Sequence, residues 1–141
     1  MSILQTDIPG ARILDLYAGS GALGLEALSR GAASADFVET ASRSLEALRG
    51  NIDVLGASGL TRIHRVPSLS FAKSLGDREF DVAFADPPYE DGEAKKLAEL
   101  WLTRPFSAIL SVEHARRLEL PPGGDTRSYG TAAITIYRDA E

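Results

Sequence analysis

Four short apolar runs, each followed by a longer amphipathic one, constrain this chain more than any other feature. Residues 11–17, 35–39, 61–66 and 80–85 have strand length and apolar character, and residues 22–30, 42–55, 68–75 and 92–102 follow them with helical patterning. In the second helix Leu45, Leu48, Ile52 and Leu55 recur at three- and four-residue spacing, which predicts one buried face. Gly56 and Gly59 are the expected stop signals. Strand–helix alternation of this kind predicts an α/β fold, a mostly parallel sheet with helices on both faces. The run Asp81-Val82-Ala83-Phe84-Ala85 agrees, since strands buried on both sides lack polar alternation. A fifth strand is expected over 107–113, then a loop at Leu120-Pro121-Pro122-Gly123-Gly124, and last two strands over 126–129 and 132–137. Those two are close enough to pair as an antiparallel hairpin around Gly130. There is no internal repeat, and 141 residues suit a single domain spanning 1–141.

In such a sheet, ligands sit at the carboxyl ends of the strands. Two polar features fall there. Asp15-Leu16-Tyr17-Ala18-Gly19-Ser20-Gly21-Ala22-Leu23-Gly24 ends the first strand and opens the first helix. Glycine permits a sharp turn and close approach of a ligand to the main chain. Gly19, Gly21 and Gly24 also match the dinucleotide fingerprint, with Glu39 about 20 residues on. Asp15 separates the possibilities. A dinucleotide site presents a helix N-terminus to an anionic pyrophosphate, whereas a carboxylate four residues before the first glycine suits a cation. S-adenosylmethionine carries both an ammonium and a sulfonium. On this reading the backbone from Ala18 and Gly19 through Ser20, Gly21, Ala22 and Leu23 approaches the methionine moiety. Glu39, with Thr40 beside it, takes the ribose hydroxyls. The alternative is that Asp15 only caps backbone amides or pairs with a nearby cation.

Asp86-Pro87-Pro88-Tyr89 directly follows the fourth strand. The prolines fix the backbone and remove two amide donors, leaving nearby carbonyls free to accept. An exocyclic amine is a weak nucleophile because its lone pair is delocalised into the ring. Its two N–H groups could donate to the Asp86 carboxylate and the Pro87 carbonyl, which would hold the nitrogen and turn its lone pair toward a sulfonium methyl. Tyr89 offers a face on which a base could stack, a contact worth roughly 1–3 kcal/mol. A base inside a duplex would have to be flipped out to reach this site. Alone, the tetrapeptide also reads as an ordinary turn.

With both motifs in place, the chain resembles the bacterial small-subunit ribosomal RNA guanine-N2 methyltransferases (RsmD-type) from about Ile13 to Tyr137. The most specific stretch runs from Leu14 to Ala32, and Val38-Glu39, Asp86-Pro87-Pro88-Tyr89, Val112-Glu113 and Tyr129-Gly130-Thr131-Ala132 also resemble family segments. The resemblance implies a Rossmann-like class I methyltransferase fold with seven strands. It further implies S-adenosylmethionine as cofactor and a guanine N2 in small-subunit rRNA as acceptor. The family begins with a basic arm and a helix that this sequence lacks, and Ser2-Ile3-Leu4 reads as the tail of that helix. Ala41 stands where the family has an acid. Pro67 occupies the position of an adenine-contacting Asp or Asn, which leaves only backbone contacts near Ser68 and Leu69 and predicts weaker cofactor affinity.

The formal net charge is −5, against the basic patch of a self-sufficient nucleic-acid binder. With no cysteine, thiolate chemistry and disulfides are excluded, and with only His64 and His114 no metal site is expected. No signal peptide or membrane-length apolar run is visible, so a cytoplasmic monomer without membrane contact is expected. His64 has no evident partner, and His114 reads as a surface-loop or pocket-mouth residue. Arg116 and Arg117 read as a solvated patch, and Trp101 as helix core. The rival readings are a DNA adenine-N6 methyltransferase, a catalytically silent cofactor-binding module and a nicotinamide oxidoreductase, the last opposed by Asp15.

Overall fold

A computed structural model describes residues 4–89 and 92–140. Its seven strands form one sheet in the order β3-β2-β1-β4-β5-β7-β6. They are β1 (Arg12–Leu16), β2 (Ser34–Val38), β3 (Thr61–His64), β4 (Phe80–Ala85), β5 (Ser107–Ala115), β6 (Asp125–Tyr129) and β7 (Ala132–Arg138). The first five run parallel, and β7 is antiparallel to both β5 and β6. The helices are α1 (Ala22–Ser29), α2 (Ser42–Val54), α3 (Ser68–Lys73) and α4 (Glu93–Thr103). Ser2 and Ile3 of the proposed helix tail lie outside the described residues, and Leu4 is buried in the core.

The apolar runs became the inner strands because both of their faces are covered. On one face Phe37, Phe84 and Ile109 pack with Leu25 of α1 and Leu45 and Leu48 of α2. On the other, Leu14, Ala83, Leu110 and Tyr137 pack with Leu97 and Trp101 of α4. Trp101 is core, as its spacing predicted, and its indole N–H donates to the Ser107 carbonyl at 3.0 Å. The two sheet edges are polar: all five residues of β6 are exposed, and β3 buries none of its four. Polar edges discourage pairing with a foreign strand.

Three expectations need correction. Leu55 is 62% exposed rather than part of the buried face of α2, because the helix ends at Val54 and the chain reverses at Gly56 (φ +63°). There the Ala57 and Gly56 N–H groups donate to the Ile52 and Asp53 carbonyls, a Schellman closure. His114 is not in a surface loop, and it does not line the cavity beside Asp86. β5 continues two residues past Glu113, so His114 is 2% exposed and bonds Thr135 Oγ1 at 2.8 Å. His64 does have a partner: its Nε2 lies 2.7 Å from Asp36 Oδ2 on the adjacent strand.

Of the three fingerprint glycines, Gly24 serves packing. A Cβ there would fall 2.4 Å from Phe37 Cε1 and 2.8 Å from Cζ, so the helix can rest on β2 only without a side chain. Gly24→Val is expected to cost about 2 kcal/mol or more through overpacking, seen as a lower urea midpoint with an unchanged slope.

Candidate active site

The carboxyl ends of β1, β2 and β4 and the N-terminal ends of α3 and α4 surround a cavity of about 420 Å³. That volume lies within the range of small-ligand pockets, about 300–1,000 Å³. Glu39, Thr40, Pro67, Ser68, Asp86 and Pro88, all singled out from sequence, line it. Tyr17, Val66 and Glu93 line it as well. Its ionisable wall among the described residues is therefore Glu39, Asp86, Glu93 and the Tyr17 phenol, with no lysine or arginine.

The turn after β1 is shaped by an unusual residue. Tyr17 adopts a left-handed backbone (φ 55°), and its hydroxyl donates to Glu93 Oε1 at 2.5 Å. Burial, then the bond to Glu93, holds the phenol above its ordinary range. Its N–H donates to Ser68 Oγ at 2.9 Å, so the Ser68 side chain ties α3 to the turn. Leu69 packs against the core, Ser20 and Ala22 are exposed, and Leu23 is 39% exposed. Gly19 also has a positive φ of 58°, and a Cβ there would meet no atom within 4 Å, which leaves room for a ligand against the main chain. Ala18 donates its N–H to the Val38 carbonyl, and Asn51 holds the Ser20 carbonyl at 3.0 Å.

Glu39 staples two turns together. Oε1 accepts the Gly19 N–H at 2.7 Å, and Oε2 accepts the Thr40 and Ala41 N–H groups at 3.0 and 2.9 Å. A carboxylate has about four acceptor sites. Three of them are filled from the backbone, so one on Oε1 is left for a ligand hydroxyl. Two hydroxyls would have to share that oxygen or displace an amide.

Asp15 is 3% exposed, and its Oδ2 accepts the Gly24 N–H at 3.0 Å. It underlies the turn and does not line the cavity, so the amide-capping role is the one its geometry displays. Burial pushes the carboxyl up to about 7, against the lowering effect of the Gly24 bond, and the charges of Asp86 and Glu39 push the same way. An acid whose folded pKa is raised binds more protons folded than unfolded, so the stability it contributes is lost as pH rises toward 7. Asp15→Asn keeps an acceptor for Gly24 and removes the titration. It should flatten the fall in stability between about pH 4 and 7, measured by urea unfolding across that range.

Asp86-Pro87-Pro88-Tyr89 leaves β4 at the mouth of the cavity. Pro87 is buried, while Asp86 and Pro88 are exposed and Tyr89 is 41% exposed. Partial burial raises the Asp86 carboxyl above its ordinary range, so it holds a proton more readily than a free aspartate. Sequence reasoning missed Tyr17 and Glu93 as cavity residues. An acid in the first turn of α4 was the only hint of Glu93, and nothing foretold the left-handed turn at Tyr17. Among the described residues no group of three His, Cys, Asp or Glu side chains could hold a metal ion, and no helix is long and apolar enough to cross a membrane.

Strand order, the glycine turn opening α1 and a ligand cavity at the carboxyl ends of the strands define a class I methyltransferase fold. The family model described as "Conserved hypothetical protein 95" matches residues 1–138, and the chain belongs to that family. Among the relatives named Ribosomal RNA small subunit methyltransferase D are proteins of Haemophilus influenzae and Escherichia coli. The Haemophilus influenzae protein is 32% identical over 142 aligned residues, covering 96% of this chain and 74% of its own length. The Escherichia coli protein is 41% identical, and the alignment covers 81% of this chain and 58% of that protein. A conserved hypothetical protein from Streptococcus pyogenes superposes with a TM-score of 0.84 at 26% identity, covering 98% of this chain and 93% of the other. An RNA methyltransferase from Salinibacter ruber, crystallised with S-adenosyl-L-homocysteine, shares the fold alone. Its TM-score is 0.73 at 13% identity, with 97% of this chain and 87% of that one covered.

Proposed function

We propose that the chain is a single-domain S-adenosylmethionine-dependent N-methyltransferase acting on an exocyclic amine of a nucleic-acid base, guanine N2 of small-subunit rRNA. One observation carries this reading. Among the described residues the cavity has an acidic wall without a basic side chain, and it opens directly onto Asp86-Pro87-Pro88-Tyr89. A pyrophosphate would be repelled there, whereas a sulfonium and an ammonium would be held. Family membership and the names of the relatives support the same substrate class. Work in the cytoplasm, on rRNA or the assembling subunit, follows from that substrate.

When bound, S-adenosylmethionine supplies an electrophilic methyl group on sulfur. The protein's own work is positioning and electrostatics, the usual sources of acceleration for an in-line transfer. Glu39 takes a ribose hydroxyl on its open oxygen, and the Gly19 turn gives the methionine moiety access to the backbone. Asp86 and the Pro87 carbonyl accept the two N–H groups of the target amine and so fix its nitrogen. As the new N–C bond would form and the methyl–sulfur bond break, leaving the electron pair on sulfur as a neutral thioether, the amine would become more acidic. The raised basicity of the Asp86 carboxylate suits it to accept the proton released. Tyr89 provides a stacking surface for the base.

The test begins with calorimetric titration of the protein with S-adenosylhomocysteine beside NADH, followed by methyl transfer to small-subunit rRNA and to immature subunits. Binding of the first ligand but not the second, with incorporation into guanine, is the expected result. Incorporation into DNA adenine would transfer the assignment to the rival substrate. Cofactor binding without transfer to any nucleic acid would indicate a silent module.

A further inference from the structure

The β5 end and the hairpin tip beside the Asp86 motif have no role in the reading above. Ala85 of β4 and Val112 of β5 are register partners, so Asp86 and Glu113, next along each strand, lie side by side at the sheet's carboxyl end. Ala115, two residues beyond Glu113, pairs with Ala132, and Ala132 pairs with Tyr129. Directly paired residues share a face, as do residues two apart on one strand, which puts Glu113 and Tyr129 on the same face. Tyr129 is 52% exposed at the tip of that hairpin. Glu113 is half-buried and makes no ion pair among the described residues.

We propose that Glu113 is a specificity-determining residue that accepts the N1–H of the flipped-out guanine while Asp86 holds the neighbouring N2 amine. The inference rests on the functional reading above and goes further, because it accounts for the choice of purine. Guanine presents three donor hydrogens in a row, one on N1 and two on N2. An ionised carboxylate only accepts, so two adjacent carboxylates match that edge. Adenine, presented by its N6 amine, would place the bare lone pair of its N1 against Glu113 and leave a buried acceptor unsatisfied, which is strongly disfavoured. The electrostatics agree with this proximity: burial first, then the Asp86 charge, raises the Glu113 carboxyl. Partial desolvation first, and then the Glu113 charge, also raises the Tyr89 and Tyr129 phenols.

The experiment compares an rRNA substrate carrying guanine at the target position with one carrying 2-aminopurine, which keeps the 2-amine and lacks the N1–H. The wild-type protein should prefer guanine. Glu113→Ala should lower kcat/KM on guanine roughly 10- to 100-fold, the range for a lost charge-assisted hydrogen bond, while the 2-aminopurine rate should not fall and should rise as the clash with the N1 lone pair is relieved, so that discrimination collapses. Glu113→Gln, which keeps an acceptor oxygen, should recover part of the guanine rate. Unchanged S-adenosylhomocysteine affinity in both variants would verify the fold. An equal loss on both substrates, or no wild-type preference, would overturn the role of Glu113 and leave the methyltransferase reading standing. Failure of the wild-type protein to methylate any guanine would remove both.

Discussion

Replacing Asp86 with alanine is expected to lower methyl transfer roughly 1,000-fold, in line with the loss of an oriented acceptor that also takes a proton. Affinity for S-adenosylhomocysteine should change far less, because the cavity wall retains Glu39, Thr40 and Ser68. The effect should appear in kcat as well as kcat/KM, since the bond to the amine strengthens as the nitrogen gains positive charge. Asp86→Asn keeps one acceptor oxygen and should fall between the two. Because burial raises the Asp86 carboxyl, the acid limb of the kcat profile should lie above the usual aspartate range of about 3.9 and vanish in Asp86→Asn. A near-normal turnover in Asp86→Ala would contradict the mechanism directly.

Glu39→Ala carries the second large effect, on the cofactor. Its carboxylate accepts the Gly19, Thr40 and Ala41 amides and offers its remaining site to the ribose. Hydrogen bonds to a charged group contribute about 1.5–3 kcal/mol each. Removing the side chain takes away the ligand contact and leaves three backbone donors without their acceptor. S-adenosylhomocysteine affinity should drop roughly 100-fold or more, read by calorimetry. Unfolding in urea should show a smaller loss of global stability, because the Thr40 and Ala41 amides are exposed and can turn to water. Affinity within a few-fold of wild type would place the ribose elsewhere.

Much of the fold was legible because a parallel sheet writes itself as uninterrupted apolar runs. The expected 80–85 strand is observed at Phe80–Ala85, and 42–55 becomes Ser42–Val54. The hairpin around Gly130 was equally plain from the spacing of its strands. Lateral register was not. Asp36 and His64 are 28 residues apart, and only the alignment of β2 with β3 brings them together. His114 was misplaced for the same reason: its burial depends on β7 and on Thr135, 21 residues away. At the site, the residue types that announce their chemistry, Asp86 and Glu39, were visible in the sequence. Tyr17 was not, because its place on the cavity wall comes from a backbone angle that tyrosine rarely adopts. Asp15 was noticed for its charge, yet what the structure displays is a buried hydrogen bond to a helix amide.

The position of β1 between β2 and β4 bears on how the chain comes to be assembled. Ile13 must find Val82, 69 positions further along the chain, and such remote parallel pairing makes for slow folding. A chain leaving the ribosome can close its first strand–helix unit early, but the partner on the other side of β1 arrives nearly half the molecule later. The outer edge of β5, next to Glu113, waits longer still, until residues 132–138 come back alongside it. The half of the pocket that meets the base is thus the last to be walled in, and a nascent chain would acquire its ligand-holding turn well before it could tell one base from another.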